Sequence, residues 1–410
     1  MRRSSQGNSV SRRHVLKASA ATAVAAGTGA AIPACSAAPA GLPPNVAQGI
    51  AEGKRYRLRE LGITIGEMPP GALNAITDVP GVKVGYKTLI FDRPGPAPNI
   101  ARTGVTIIVP RDEPMWANHC YAGIYSHNGN GEMTGSHWIT ESGWLSSMIG
   151  ITNTHQVGIV RDTLVKIEAE QNKDLKWRLP VVAETWDGPM NQMNGFWITE
   201  EHVREAVADA KGGLPAEGNV GGGTGMAFFG HKGGSGTSSR VVTYKGTNYV
   251  VGVFAQPNFG RLRNLRVNGA PVGAELPQPP PLTPTNKSQG SCILIVATNA
   301  PMLPDQCRRL AVHAGLGVGV LGGTASNGDG DIYLAFSTGN DIRPNDSTAL
   351  YNANAVNNDE IDPFFQAVIE ATQEALLNAA TKAERMTGNW GTREALPLDK
   401  LMQSLQKHQV

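Results

Sequence analysis

Between Pro271 and Gly290 the sequence reads PVGAELPQPPPLTPTNKSQG, and at Ser291 it changes abruptly to SCILIVATNA. Pro271, Pro277, Pro279, Pro280, Pro281 and Pro284 each fix φ and remove a backbone donor. The stretch therefore cannot pair centrally in a sheet and is expected to be an exposed linker, extended or turning. Ile293, Leu294, Ile295 and Val296 are apolar on both faces, the pattern of a strand covered on both sides. A hydroxyl thus stands where exposed chain enters the core. That placement suits a serine that cuts its own preceding peptide bond and becomes a new N-terminus.

At 410 residues, 40% of them apolar and with a net charge of +2, the chain can bury a large core and has no basic stripe of the kind nucleic acid requires. The first forty residues differ from the rest. Arg12-Arg13, then Val15-Leu16-Lys17 and an alanine- and glycine-rich apolar run to Ala34, resemble a twin-arginine (Tat) export signal. The run is too short for a stable transmembrane helix. Cleavage is expected after Ala40, or before Cys35 if that cysteine carries a lipid anchor, which gives a periplasmic or otherwise extracytoplasmic product. Cys120, Cys292 and Cys307 would then remain, an odd number that argues against a disulfide framework. No Cys/His spacing matches a zinc site, and neither metal nor cofactor is expected.

Short apolar runs broken by Pro69-Pro70-Gly71 and Pro80-Gly81 predict several strands from about Leu61 to Val109. Helices are expected from Glu200 to Ala210 with Thr199 as cap, from Pro304 to about His313 with Gly315 at the exit, and from Pro363 to Arg385. Strands near 293–297 and 331–336 alternate with the last two helices, so the C-terminal part is mixed α and β. Two glycine-rich runs look like nucleotide loops by their letters only. Gly221-Gly222-Gly223-Thr224-Gly225 lacks the Gly-Lys-Ser/Thr ending, and Gly317 to Gly322 follows a helix rather than a strand. Backbone that turns sharply or packs with no room for Cβ explains both runs. Asn219, beside the first run, is a suitable neutral donor to an oxyanion.

Several segments, in order, resemble the DmpA/BapA family of self-processing aminopeptidases. They are RLRELGITIGEMPPGALNAITDVPGVKVG (57–85), HNGNGEMTGSHWI (127–139), LPVVAETWDG (179–188), NVGGGTGM (219–226), GGSGTSSR (233–240), GSCILIVATNAP (290–301) and GDIYLAFST (330–338). The resemblance implies an α/β (α+β) four-layer αββα sandwich of the DmpA/ornithine acetyltransferase type. It also implies one catalytic domain over 41–410, cleaved between Gly290 and Ser291 into an α chain (41–290) and a β chain (291–410), with αβ units that assemble into homo-oligomers.

In such an enzyme Ser291 is nucleophile, and its freed α-amine, with a reference pKa of roughly 7.7–8, is the base. By motif position, Asn219 is the expected oxyanion donor and Glu132 the carboxylate for the substrate's amino group. Trp138 and Trp186 are candidates to line the pocket. Relatives commonly carry Ser-Gly-Asp or Ser-Gly-Glu where this chain has Asp329-Gly330-Asp331, and Asp where it has Asn299. On one strand the two acids would face the same way and titrate as a coupled pair, with Asp329 expected to hold a proton and donate in place of the serine.

The expected activity is release of N-terminal residues from small peptides, amides or esters. An acyltransferase of the same fold is the first alternative, although those enzymes place threonine at the junction. An unprocessed, non-enzymatic periplasmic binding protein is the second. The preferred acyl residue is not legible, because pocket residues are dispersed.

Overall fold

The apolar run after Ser291 forms a strand whose eight residues are all buried, and two sheets and two helical layers are built around it. The computed structural model describes residues 42–95, 99–280, 282, 290–344 and 352–410. Arg12-Arg13 and Cys35 lie outside these residues, as does most of 281–289 in the proline-dense stretch.

The strands are β1 (Lys83–Arg93), β2 (Asn99–Val109), β3 (His119–Ser126), β4 (Trp144–Leu145), β5 (Ile149–Asn153), β6 (Val181–Thr185), β7 (Ala227–Phe228), β8 (His231–Lys232), β9 (Gly236–Tyr244), β10 (Thr247–Asn258), β11 (Ser291–Thr298), β12 (Gly330–Ile342) and the paired β13 (Met386–Gly388) and β14 (Gly391–Arg393). One sheet has the order β1-β2-β5-β6 and the other β4-β3-β12-β11-β10-β9, while β7 and β8 form a small hairpin. The helices are α1 (Pro44–Ala51), α2 (Ser136–Ser142), α3 (Val157–Gln171), α4 (Glu200–Ala208), α5 (Val272–Glu275), α6 (Pro304–Val320), α7 (Asp362–Thr381) and α8 (Leu398–Lys407).

Three apolar clusters stack the layers. Ile108, Ile149, Ile151 and Ala183 of the first sheet meet Phe254, Ile293, Ile295 and Leu334 of the second. The outer face of the first sheet packs through Val105, Ile107 and Val182 on Val160 and Leu164 of α3 and Val203 of α4. The outer face of the second packs through Val253, Leu294 and Tyr333 on Leu310 and Ala314 of α6 and Val368 and Ala371 of α7. Alternate residues of β11 thus feed different clusters, Ile293 and Ile295 inward and Leu294 and Val296 outward, as a strand covered on both faces requires. The order helix, sheet, sheet, helix is the αββα sandwich expected from the sequence.

Local expectations hold in part. α4 starts after Thr199, whose N–H donates to His202 Nδ1 at 3.2 Å in a capping box. α6 does not stop at Gly315. It continues through Gly315 to Val320, and a Cβ at Gly317 would lie 2.8 Å from Thr372 Cβ of α7, so Gly317 serves close helix packing. α7 is shorter than expected at its C-terminal end. The strands expected from Leu61 begin only at Lys83. Before them, prolines and turns leave two 3-10 turns, Arg59–Leu61 and Ile76–Asp78, with Leu61, Ile63 and Ile65 buried on the helical side of the core. The proline-dense stretch begins folded, with α5 and a buried Val272, before its prolines crowd.

Candidate active site

Ser291 is the first residue of β11 and is 2% exposed. Its neighbours follow from register. Asn258, the last residue of β10, is its antiparallel partner, and Gly330, the first of β12, is its parallel partner. The Trp186 N–H, just past β6 on the facing sheet, donates to Ser291 Oγ at 3.1 Å. Asn258 Nδ2 donates to the Trp186 carbonyl at 2.7 Å, and its Oδ1 accepts from the Ala227 N–H at 3.0 Å. The hydroxyl therefore lies between the sheets, with a carboxamide of fixed orientation beside it.

The Gly290 carbonyl, one bond before Ser291, accepts from the Gly330 N–H at 3.0 Å. A backbone donor on that oxygen polarises the carbonyl the hydroxyl would attack. Both glycines are required by crowding. A Cβ on Gly290 would overlap the Asp329 carboxylate, and one on Gly330 would overlap the Asn130 carbonyl.

Asp329 and Asp331 bracket Gly330 and are both buried. Asp329 takes N–H donors from Ser326, at 2.7 Å, and from Gly290. Burial raises its pKa while these donors lower it. Asp331 has no such help. Its Oδ1 is buried without a partner among the described residues, and burial together with the Asp329 charge pushes it up to about 7. The two acids are a coupled pair as expected, and Asp331 is the one that burial and its neighbour push up to about 7. Asp329 is raised overall as well, and the contacts it makes here, from the Ser326 and Gly290 N–H groups, are ones in which it accepts.

Stability follows with a definite sign. Between pH about 4 and 7 the folded chain keeps a proton on Asp331 that the unfolded chain releases, so stability present at low pH is lost as pH rises through that window. Asp331→Asn cannot ionise. The melting temperature of this variant relative to wild type should therefore be higher at pH 8 than at pH 4.5, read by calorimetry. An equal difference at both pH values would contradict the assignment.

The loop 127–132 lies against the start of β12. The His127 N–H donates to the Asp331 carbonyl at 2.8 Å, Asn128 Oδ1 accepts from the Asp331 N–H at 2.9 Å, and the Asn130 N–H donates to the Asp329 carbonyl at 3.2 Å. This brings Glu132, exposed, to the site. The Glu132 N–H donates at 3.2 Å to Oε1 of Glu184, a buried residue of β6 that lies two positions before Trp186. Thr154 Oγ1 donates to the other Glu184 oxygen. Burial raises the Glu184 pKa, the Thr154 hydroxyl and the Glu132 N–H act against it, and the Glu132 charge adds a little to the rise. An exposed and a buried carboxylate close together suit a cationic amine.

The other expected residues divide. Trp186 is at the site, its ring edge-on to Trp390 with 5.7 Å between centroids. Trp138 is not. It lies on α2 against Trp177 and lines a separate cavity of about 400 Å³ with Trp116, Trp144 and Arg178. Asn219 is not brought to Ser291 either. Its Nδ2 donates to the Glu384 carbonyl at 2.9 Å and its Oδ1 accepts from the Glu384 N–H at 3.4 Å, so both ends of the carboxamide are tied to the Glu384 backbone. The adjoining glycine run forms a buried 3-10 turn wedged against β2, β5 and β10, which is packing and not a ligand cradle. Asn299 Oδ1 accepts from the Val250 N–H at 2.7 Å, a local bond at the far end of the same strands.

Sequence reasoning missed Asn258, Glu184 and Trp390. Asn258 had one faint signal, a short polar residue closing a long apolar strand just before Phe259-Gly260.

The αββα sandwich, with a serine at the head of a buried strand faced by a carboxamide and carboxylates, has the fold of the N-terminal nucleophile hydrolases. The chain belongs to Peptidase family S58, whose model matches residues 74–394. It is 44% identical over 378 residues to the beta-peptidyl aminopeptidase BapA of Sphingosinicella microcystinivorans, covering 88% of this chain and 94% of the relative. It is 41% identical over 350 residues to BapA of Sphingosinicella xenopeptidilytica, covering 81% and 86%. Among solved structures it superposes on a Burkholderia sp. beta-aminopeptidase with a TM-score of 0.80 at 42% identity, covering 86% of this chain and 99% of the other. The L-aminopeptidase D-Ala-esterase/amidase of Ochrobactrum anthropi, a variant of the Ntn hydrolase fold, superposes at 0.79 and 39% identity, covering 86% and 98%. These matches make the chain a hydrolase of an aminopeptidase family.

Proposed function

We propose that the chain is an exported, self-processing serine aminopeptidase that acts through an acyl-enzyme on Ser291. The observation that carries this reading is the junction itself: Ser291 Oγ held by the Trp186 N–H, with the preceding Gly290 carbonyl on the Gly330 N–H.

In self-cleavage Ser291 Oγ adds to the Gly290 carbonyl carbon, and the C–N bond breaks to give an ester and a free α-amine. Water then hydrolyses the ester, leaving the Gly290 carboxylate and the Ser291 hydroxyl. In turnover the α-amine takes the hydroxyl proton as Oγ attacks the substrate carbonyl, and passes it to the departing amine. Water releases the acyl group by the same proton route in reverse. Asn258 Nδ2 has a second N–H beyond the one given to Trp186, available to the oxyanion. Glu132 and Glu184 receive the substrate's ammonium. The Asp329/Asp331 pair lies under the junction and sets the charge the α-amine meets.

The substrates are small peptides, amides or esters with a free N-terminal amine. Two relatives are named beta-peptidyl aminopeptidases and a third beta-aminopeptidase, which favours N-terminal β-residues over L-α residues. Parallel assays with β-homoalanine and L-alanine p-nitroanilides test this, with kcat/KM expected to be higher for the β-substrate. The reverse order would assign the chain to the L-aminopeptidase side of the family. Export through the Arg12-Arg13 segment belongs to the same proposal and predicts that a double Lys substitution there keeps the protein in the cytoplasm. Assembly of αβ units into homo-oligomers is proposed from family membership.

A further inference from the structure

Lys232 is completely buried, and among the described residues no carboxylate lies within ion-pair distance of its ammonium. Burial, and then the Arg393 charge, pulls its pKa down to about 7, so Nζ is held by hydrogen bonds and not by an ion pair. Nζ donates to the Met226 carbonyl at 2.9 Å and to the Gly233 carbonyl at 2.6 Å, and the Gly233 N–H closes the same ring onto the Met226 carbonyl at 2.9 Å. Those carbonyls flank the β7-β8 hairpin, which turns through Phe229 and Gly230, both at positive φ.

The hairpin in turn grips the end of β10 at two points. The Ala227 N–H donates to Asn258 Oδ1 at 3.0 Å, and the Phe229 N–H donates to the Phe259 carbonyl at 2.8 Å. Phe228, Phe229 and Phe259 pack edge to face around the second of these bonds. A continuous path therefore runs from the ammonium through Met226 and Ala227 to the Asn258 carboxamide, and from there to Trp186 and Ser291 Oγ.

We propose that Lys232 is a positioning residue: its Nζ ties both ends of the β7-β8 hairpin so that the Ala227 N–H holds the Asn258 carboxamide with its free N–H turned toward the reacting carbonyl. Without that tie Oδ1 loses a fixed donor, and the amide can rotate away from Ser291. The proposal rests on the reading of Ser291 as nucleophile and of Asn258 as its oxyanion donor.

A double-mutant cycle on the full-length, processed enzyme tests it. Lys232→Met fills the same volume without the donor. With a small p-nitroanilide, Lys232→Met should lower kcat by roughly tenfold or more while KM changes by less than about twofold. In an Asn258→Ala background the same change should cost less than about twofold, since the group it positions is gone. Lys232→Gln, which keeps a donor without the charge, should recover part of the kcat. Wild-type kcat in Lys232→Met, or losses that multiply with Asn258→Ala, would overturn the proposal. Collapse of both Lys232 variants would make the lysine a folding determinant and overturn it equally. A wild-type enzyme that releases no p-nitroaniline counts instead against the reading of Ser291.

Discussion

Ser291→Ala is expected to leave the chain in one piece and to lower amide turnover by on the order of 10⁴-fold or more. Two functions vanish with one oxygen. The hydroxyl that attacks is lost, and because Gly290 is never released the α-amine that would serve as base never forms. What stays is the polar frame: the Trp186 N–H, the Asn258 carboxamide and the two glutamates, none of which supplies a nucleophile. Denaturing electrophoresis and steady-state assay read both effects. A Ser291→Ala protein still divided at the same bond would contradict the assignment, since cleavage would then not need this hydroxyl.

Asn258→Ala is expected to lower kcat by roughly 10²- to 10³-fold, the usual loss for one preorganised oxyanion donor. Asn258 is the antiparallel partner of Ser291, and both ends of its amide are fixed by the Ala227 N–H and the Trp186 carbonyl, so its second N–H has little freedom. Asn219→Ala is the matched control. Among the described residues that side chain bonds to the Glu384 backbone alone, and its loss should change kcat by less than about twofold while lowering the melting temperature. A large kcat loss in Asn219→Ala with little in Asn258→Ala would reverse the two roles. Steady-state kinetics on both variants decides between them.

The contrast between these two asparagines shows how far the sequence could be read. Each stands beside a glycine-bearing turn, and Asn219 precedes the richer run, so local chemistry favours it. What selects Asn258 is the pairing of β10 with β11, a contact between residues 33 positions apart in sequence that no window of sequence displays. Trp138 and Trp186 differ for the same reason. Trp186 follows a strand that faces β11, whereas Trp138 lies on α2, which turns it toward Trp177. By contrast, the burial of β11 was legible because it depends on neighbours in sequence, a run apolar on both faces. Thr199 and α4 were legible for a similar reason, since a cap acts within one turn. The end of α6 was not, because Gly317 answers to α7 across the layer. The acid pair was half legible. Its coupling followed from spacing, but which carboxylate found backbone donors depended on the fold.

The central claim is that the chain divides itself between Gly290 and Ser291. Intact mass of the purified wild-type protein under denaturing conditions, with N-terminal sequencing of its fragments, tests this directly. The expected result is two chains, the smaller running from Ser291 to Val410 and starting Ser-Cys-Ile-Leu. A single species continuous through Gly290-Ser291, together with undiminished aminopeptidase activity, would contradict the account.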